Sequence, residues 1–194
     1  MTNQTFQKWC VFVLFLTAAL WITGSLLEYL AIQFGTDTAL IGQALRFGWA
    51  VLLVFGLLAI YHFDIERAGK MGFFAFVTAM TGTILKVIPE YLLLSSLTGL
   101  NNAAIELETA SPIRLIATLI YVLGYMWFGV AIFHNGSFSK WGAVLFTLGS
   151  IIGAIPGLAH DVPIFLSPLG ALSGGAGLIW LGLSLLHKKL PQVS

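Results

Sequence analysis

Long apolar stretches separated by short polar segments dominate this chain. Six such runs are present, each close to the length that a helix needs to cross a hydrocarbon core of about 30 Å. The runs lie at Trp9–Phe34, Leu40–His62, Met71–Leu100, Ile113–Phe133, Trp141–Leu158 and Ile164–Leu186. The pattern predicts an all-α integral membrane protein with six transmembrane helices in one domain, residues 1–194.

The composition supports a lipid environment and excludes several function classes. Hydrophobic residues make up 58% of the chain and charged residues 9%, whereas a soluble domain carries about 25% charged residues. The net charge of +1 offers no basic field for nucleic acid. The single cysteine, Cys10, rules out an internal disulfide. The bilayer is therefore the expected partner, and no nucleic acid is expected.

The positions of the cations predict the orientation of the helices. In a six-helix arrangement most of them fall on one side: Lys8, Arg67, Lys70, Lys140, Lys188 and Lys189. Because cations are enriched in cytoplasmic loops, both termini are predicted to be cytoplasmic in a multi-pass protein of the cell membrane. The fifth run contains Pro156 and Gly157, so a re-entrant rather than a fully spanning fifth helix is an alternative.

A three-fold similarity along the chain predicts three related two-helix hairpins. They cover residues 8–62, 70–134 and 140–187. Each hairpin begins at a lysine and ends at a histidine: His62, His134 and His187. Glu-Tyr-Leu also recurs, starting at Glu28 and at Glu90. Such periodic similarity is the usual sign of repeated structural units.

Ionisable residues are predicted to form a layer near the outer face. Glu28, Glu90 and His160 each stand twenty residues beyond the lysine of their hairpin, which is about 30 Å along a helix. Arg46 and Lys86 fall about one helical turn deeper. The complete candidate site is Glu28, Arg46, Lys86, Glu90, His160 and Asp161.

Two interpretations of this layer remain open at the sequence level. Ionisable groups within spans often line a substrate or ion path, because they are costly in lipid. Groups this shallow can also pair or reach the interface for purely structural reasons, for example Arg46 with Glu28 and Lys86 with Glu90.

The remaining motifs predict neither a metal nor a cofactor. His62, His134 and His187 fall at helix C-termini, where an interfacial histidine interacts favourably with its own helix, and no metal-binding spacing accompanies them. Gly149, Gly153 and Gly157, with Gly170 and Gly174, indicate close helix packing. That packing serves either one bundle or a homo-oligomer or larger membrane complex through the fifth and sixth helices.

Two connecting segments resemble those of a known group of proteins. Glu66–Gly72 and Ser137–Gly142 are similar to connections in small, uncharacterised multi-span membrane proteins of prokaryotes. The resemblance implies a fold type and a prokaryotic source only, and it implies no activity. With that source, the expected location is the prokaryotic inner membrane.

Three functional hypotheses follow. The first is a small ion- or proton-coupled transporter or channel with Glu28 and Glu90 as exchangeable carboxylates. The second is a non-catalytic structural or regulatory subunit of a larger membrane complex. The third is an intramembrane enzyme acting on a lipid-like substrate, with Glu28, Glu90 or His160 as acid or base. It ranks last, because no nucleophile or metal motif accompanies these residues.

Overall fold

The computed structural model describes residues 3–63, 69–98, 112–135, 139–158 and 162–187. Within these ranges the prediction of an all-α fold with six helices is confirmed. The helices are α1 (Asn3–Phe34), α2 (Ala39–Phe63), α3 (Gly69–Leu97), α4 (Pro112–Asn135), α5 (Lys140–Ala154) and α6 (Leu166–Leu186). The bounds of α2, α3, α4 and α6 lie within three residues of the apolar runs, whereas α1 begins six residues before its run and α5 ends four residues before the end of its run.

The prediction of six spanning helices is wrong by one. In the part of the chain that the structure describes, five helices are long and apolar enough to cross a membrane. The exception is α5, whose 15 residues extend about 22 Å, short of the hydrocarbon thickness. Pro156 has no N–H to continue the α-helical ladder. The chain therefore tightens into a 3₁₀ turn, Ile155–Gly157.

The six helices form a closed ring in chain order. Early residues of one helix meet late residues of its neighbour, so adjacent helices run antiparallel; Gln43 of α2, for example, bonds to Glu90 of α3. The ring closes where the Gln7 side chain of α1 donates a hydrogen bond to the backbone carbonyl of Leu185 in α6. The beginning of α1 and the end of α6 therefore share one end of the bundle, which we call the terminal end.

Packing is most extensive within the pairs α1–α2, α3–α4 and α5–α6. This agrees with a chain organised as helical hairpins. The ancestral relationship between the three hairpins stays a prediction.

The outside of the ring is apolar, and several polar side chains lie inside it. Phe12, Phe55 and Phe74 are all more than half exposed. Gln43 and Thr83, by contrast, are each 1% exposed. A soluble protein rarely exposes contiguous apolar surface on this scale. The arrangement is compatible with a multi-pass membrane protein, in which lipid covers the apolar exterior.

The glycines of α5 and α6 are used within the bundle. A side chain on Gly170 would collide with the backbone of Gly153, and one on Gly174 would collide with the ring of Trp21. A Cβ on Gly177 would lie 2.6 Å from the Cα of Phe146. Internal packing accounts for these glycines. An oligomeric interface through the two helices stays a prediction.

Candidate functional site

One arginine joins two carboxylates between the first three helices. The Arg46 guanidinium of α2 donates through Nη1 to Glu28 of α1 and through Nη2 to Glu90 of α3, the latter at 2.7 Å. Glu90 also accepts a hydrogen bond of 2.9 Å from the side-chain amide of Gln43. We call Glu28, Gln43, Arg46 and Glu90 the carboxylate cluster. Because charge-assisted hydrogen bonds are the strong ones, this cluster ties three helices together.

The two carboxylates differ in their surroundings. The Glu90 side chain is 5% exposed and hydrogen-bonded through both oxygens, one to Arg46 and the other to Gln43. The Glu28 side chain is 22% exposed, and its described ion pair is the one to Arg46. Glu90 is thus held from two sides, whereas Glu28 is held more lightly.

Close helix packing brings Arg46 next to Glu28. A Cβ on Gly24 of α1 would lie 3.0 Å from the backbone nitrogen of Arg46, and one on Gly42 would lie 2.8 Å from the backbone nitrogen of Glu28. Only residues without a side chain allow two backbones to approach so closely. The glycines therefore set the distance across which Arg46 meets its first carboxylate.

Lys86 and Pro89 occupy the adjoining part of α3. Lys86 is 8% exposed, and its Nζ lies 5.8 Å from the ring centroid of Tyr121 in α4, within the range of a cation–π contact. Pro89 lies inside α3 and cannot donate to the carbonyl of Leu85, so one helical hydrogen bond is missing. The helix nevertheless continues through Pro89 to Leu97.

A cavity of about 160 Å³ opens beside these residues at the end of the bundle opposite the terminal end. It has room for several water molecules. Five of the six helices contribute to its walls, which include Ser25, Glu28, Tyr29, Arg46, Lys86, Pro89, Glu90, Pro156 and Ser167. Two carboxylates and two cations therefore share the wall of a single cavity.

Four hydroxyl groups lie deeper in the bundle, between α3, α4 and α5. The hydroxyls of Thr83 and Tyr125 are hydrogen-bonded at 2.9 Å, and the rings of Tyr125 and Tyr121 are stacked with centroids 4.3 Å apart. The hydroxyl of Tyr121 faces Ser150 and Tyr125. We call Thr83, Tyr121, Tyr125 and Ser150 the hydroxyl cluster. It adds a polar region directly inward of Lys86.

The structure brings together four of the six predicted site residues: Glu28, Arg46, Lys86 and Glu90. The other two, His160 and Asp161, lie outside the described residues. The pairing of Arg46 with Glu28, which the structural interpretation predicts, is present, and it stands beside a cavity that the functional interpretation requires.

The sequence reasoning missed Gln43 and the whole hydroxyl cluster. A usable signal existed for two of these residues. Gln43 precedes Arg46 by three positions and Thr83 precedes Lys86 by three, so each shares a helix face with a predicted site residue. Tyr121 and Tyr125 lie in a run that contains no charged residue nearby, and the pattern alone does not distinguish them from packing aromatics.

The histidines have local partners in the structure. The Nδ1 atom of His187 lies 2.8 Å from the carbonyl oxygen of Leu183, one turn earlier in its own helix. The ring of His62 packs edge-on against Phe6 at 5.6 Å. Among the residues that the structure describes, no three His, Cys, Asp or Glu side chains converge on a point that could hold a metal ion.

The chain matches no protein-family model, no curated protein and no solved structure. The functional argument therefore depends on the chemistry of the cavity itself. Its walls present hydrogen-bond donors, acceptors and charges of both signs around a volume of about 160 Å³, which suits binding of a small polar solute and proton exchange at a carboxylate.

Proposed function

We propose that this protein is a small multi-pass membrane transporter that couples the movement of a small polar solute to protons. The supporting observation is the cavity of about 160 Å³ whose wall carries Glu28, Arg46, Lys86 and Glu90. Ionisable residues inside an apolar bundle are costly unless paired, and those that face a cavity usually belong to a substrate or proton path.

The proposed location is the cell membrane, with both termini in the cytoplasm. Lys8, Lys70 and Lys140 stand near the starts of α1, α3 and α5. The antiparallel ring places these three starts at the terminal end. Under the positive-inside rule the terminal end faces the cytoplasm and the cavity faces outward. In this arrangement α5 begins on the cytoplasmic side and is not counted among the five spanning helices.

Glu28 is the proposed proton acceptor, and Glu90 the fixed carboxylate. Glu28 lines the cavity and is the more exposed of the two, whereas Glu90 is held by Arg46 and Gln43. When Glu28 takes up a proton it loses the charge that attracts Arg46. One guanidinium nitrogen then becomes available to an anionic group of a solute, while the other stays on Glu90. Proton binding and solute binding thus act on the same side chain.

Transport by the purified protein in liposomes tests this proposal. A potassium gradient with valinomycin drives protons inward, where trapped pyranine reports the pH, and a pH gradient drives uptake of radiolabelled amino acids, carboxylic acids and amines. We expect proton entry, pH-driven uptake of one of these solutes, or both, to exceed the rate in empty vesicles. Glu28→Gln should return the rate to that of empty vesicles.

Asp37→Asn is the matched control, because Asp37 is an exposed carboxylate in the connection between α1 and α2. It should transport like the wild type. Wild-type protein that moves neither protons nor any of these solutes faster than empty vesicles would refute the proposal. That result would favour the structural role, in which the paired charges only hold the helices together.

A further inference from the structure

The charges that the described residues bring to the cavity wall cancel. Glu28 and Glu90 supply two negative charges, and Arg46 and Lys86 supply two positive ones. Tyr29 also lines the cavity, and a tyrosine hydroxyl is neutral near pH 7. The segments on the opposite side contribute uncharged residues, among those described: Gly153, Pro156, Ile164 and Ser167.

Proton uptake by Glu28 changes this balance. It leaves one positive charge in excess, and it releases the Arg46 nitrogen that Glu28 otherwise holds. A charge without a counter-charge is costly inside an apolar bundle. One negative charge placed in the cavity restores neutrality, so one bound proton and one bound monovalent anion compensate each other.

The cavity is charged at its base and apolar toward its opening. Ile32 follows Glu28 by four residues in α1, and Leu93 follows Glu90 by three in α3, so both stand about 5 Å nearer the open end. Ile164, just before α6, adds a third apolar side chain. The volume of about 160 Å³ holds about five groups of the size of a water molecule, at about 30 Å³ each. This suits a carboxylate at the base with a short carbon chain pointing outward.

An ammonium group on the solute would find no carboxylate to pair with. Glu28 is neutral in the state that accepts the solute. The Glu90 side chain is 5% exposed, and its two oxygens accept hydrogen bonds from Arg46 and Gln43. Lys86 lies in the same wall and repels a further cation. The cavity therefore favours a solute with a single negative charge over a zwitterion or an amine.

We propose that the transported solute is a small monocarboxylate, which crosses together with one proton and without net movement of charge. This inference rests on the proposed function, because it names the solute class and the stoichiometry of the same site. The empty site with ionised Glu28 is neutral, and so is the loaded site with protonated Glu28 and the anion on Arg46. A site that holds the proton alone or the anion alone carries an uncompensated charge, which opposes the transition across the bundle. On release the anion and the proton both leave, and Glu28 pairs with Arg46 again.

Uptake of four solutes with three carbons each tests the proposed class. Lactate is the monoanion, alanine the zwitterion, malonate the dianion and 1-amino-2-propanol the cation. Each is supplied in labelled form to liposomes that contain the wild-type protein and have the more acidic side outside, and uptake into empty vesicles is subtracted. We expect lactate uptake to exceed that of each other solute severalfold. With potassium and valinomycin setting the membrane potential, lactate uptake should be the same at either sign of the potential.

Lactate binding to Glu28→Gln tests the role of the proton, because glutamine has the shape of glutamate and no charge. Binding is measured in micelles as protection against thermal unfolding, which also shows whether the variant folds. Wild-type affinity should fall by about tenfold per pH unit where Glu28 is ionised, the limit for one linked proton. Glu28→Gln should bind lactate equally well at acidic and at neutral pH. Asp37→Asn, the control on an exposed carboxylate, should keep the wild-type pH dependence.

Four results would overturn the inference. They are preferential uptake of alanine, malonate or the amine; lactate uptake that follows the membrane potential; proton entry without uptake of any of the four solutes; and wild-type pH dependence of binding in Glu28→Gln. If that variant does not fold, the uptake comparison in the wild type decides alone. Failure of the proposed function is a different result, because the wild-type protein then moves neither protons nor any solute faster than empty vesicles.

Discussion

Replacing Arg46 with methionine should destabilise the bundle by about 3–5 kcal/mol, the cost of leaving a buried charge without its partner. Arg46 is the group that Glu28 and Glu90 share. Methionine has a similar length and no charge, so the change removes the guanidinium while leaving an apolar side chain in its place.

The magnitude follows from the contacts that are lost. Each hydrogen bond to a charged group contributes about 1.5–3 kcal/mol, and Arg46 makes one to each carboxylate. Glu90 suffers most, because it is 5% exposed and keeps the Gln43 amide as its remaining described side-chain donor. Glu28 is 22% exposed and can turn toward water in the cavity, so the loss of Arg46 costs it less. We therefore expect a total destabilisation near the middle of the range of about 3–5 kcal/mol.

Unfolding in mixed micelles, followed by tryptophan fluorescence, measures the effect, since the chain contains 6 tryptophans. The triple variant Arg46→Met, Glu28→Gln, Glu90→Gln is the informative comparison. Replacing an entire buried ion group by neutral side chains is often close to neutral, so the triple variant should recover at least half of the lost stability. The reasoning is refuted if Arg46→Met costs less than about 1 kcal/mol, or if the triple variant is no more stable than the single one.

Two further predictions address the packing and the cavity. Gly124→Ala should destabilise the bundle by about 1–3 kcal/mol, because its Cβ would lie 2.7 Å from the backbone of α3. Gly48→Ala, whose Cβ would make an ordinary 3.4 Å contact, should be neutral or slightly stabilising in the same unfolding assay; equal losses in the two variants would contradict the packing argument. In a Cys10→Ala background a membrane-impermeant thiol reagent should label Ser167→Cys in the cavity wall but not Ala171→Cys, which is 0% exposed one turn further along α6. Equal labelling of the two cysteines would contradict the cavity described here.

The helices could be predicted from the sequence because an apolar run and a spanning helix have nearly the same length. Leu40–His62 was predicted, and α2 covers Ala39–Phe63. The fifth helix shows where this reasoning fails. Hydrophobicity continues to Leu158, but the α-helix ends at Ala154, since a proline two residues later cannot donate the next hydrogen bond. The apolar composition therefore extends the fifth run to Leu158, whereas the missing N–H of Pro156 ends the α-helix at Ala154.

The charged residues of the site could also be predicted, because so few charges interrupt the runs. Their partners could not all be predicted. Lys86 and Glu90 share one face of α3, and a pairing between them was considered. The direct ion pair described for Glu90 is to Arg46 of α2. Which side chains meet depends on how neighbouring helices are rotated and how closely they pack, which the sequence pattern does not specify. Between α1 and α2, for example, the close approach at Gly24 and Gly42 sets the distance from Arg46 to Glu28.

The carboxylate cluster combines strong mutual pairing with access to a cavity, a combination that the proposed function requires and that a purely structural ion cluster does not need. Pairing alone lowers the cost of keeping charge inside an apolar bundle, and it needs no space around the charges. Here Glu28 lies at the edge of the pairing and in the wall of a cavity with room for several waters. A proton can therefore reach Glu28 without breaking the helix contacts that Glu90 and Gln43 maintain. The side chain that stabilises the fold, Arg46, is the one whose binding partner that proton would change.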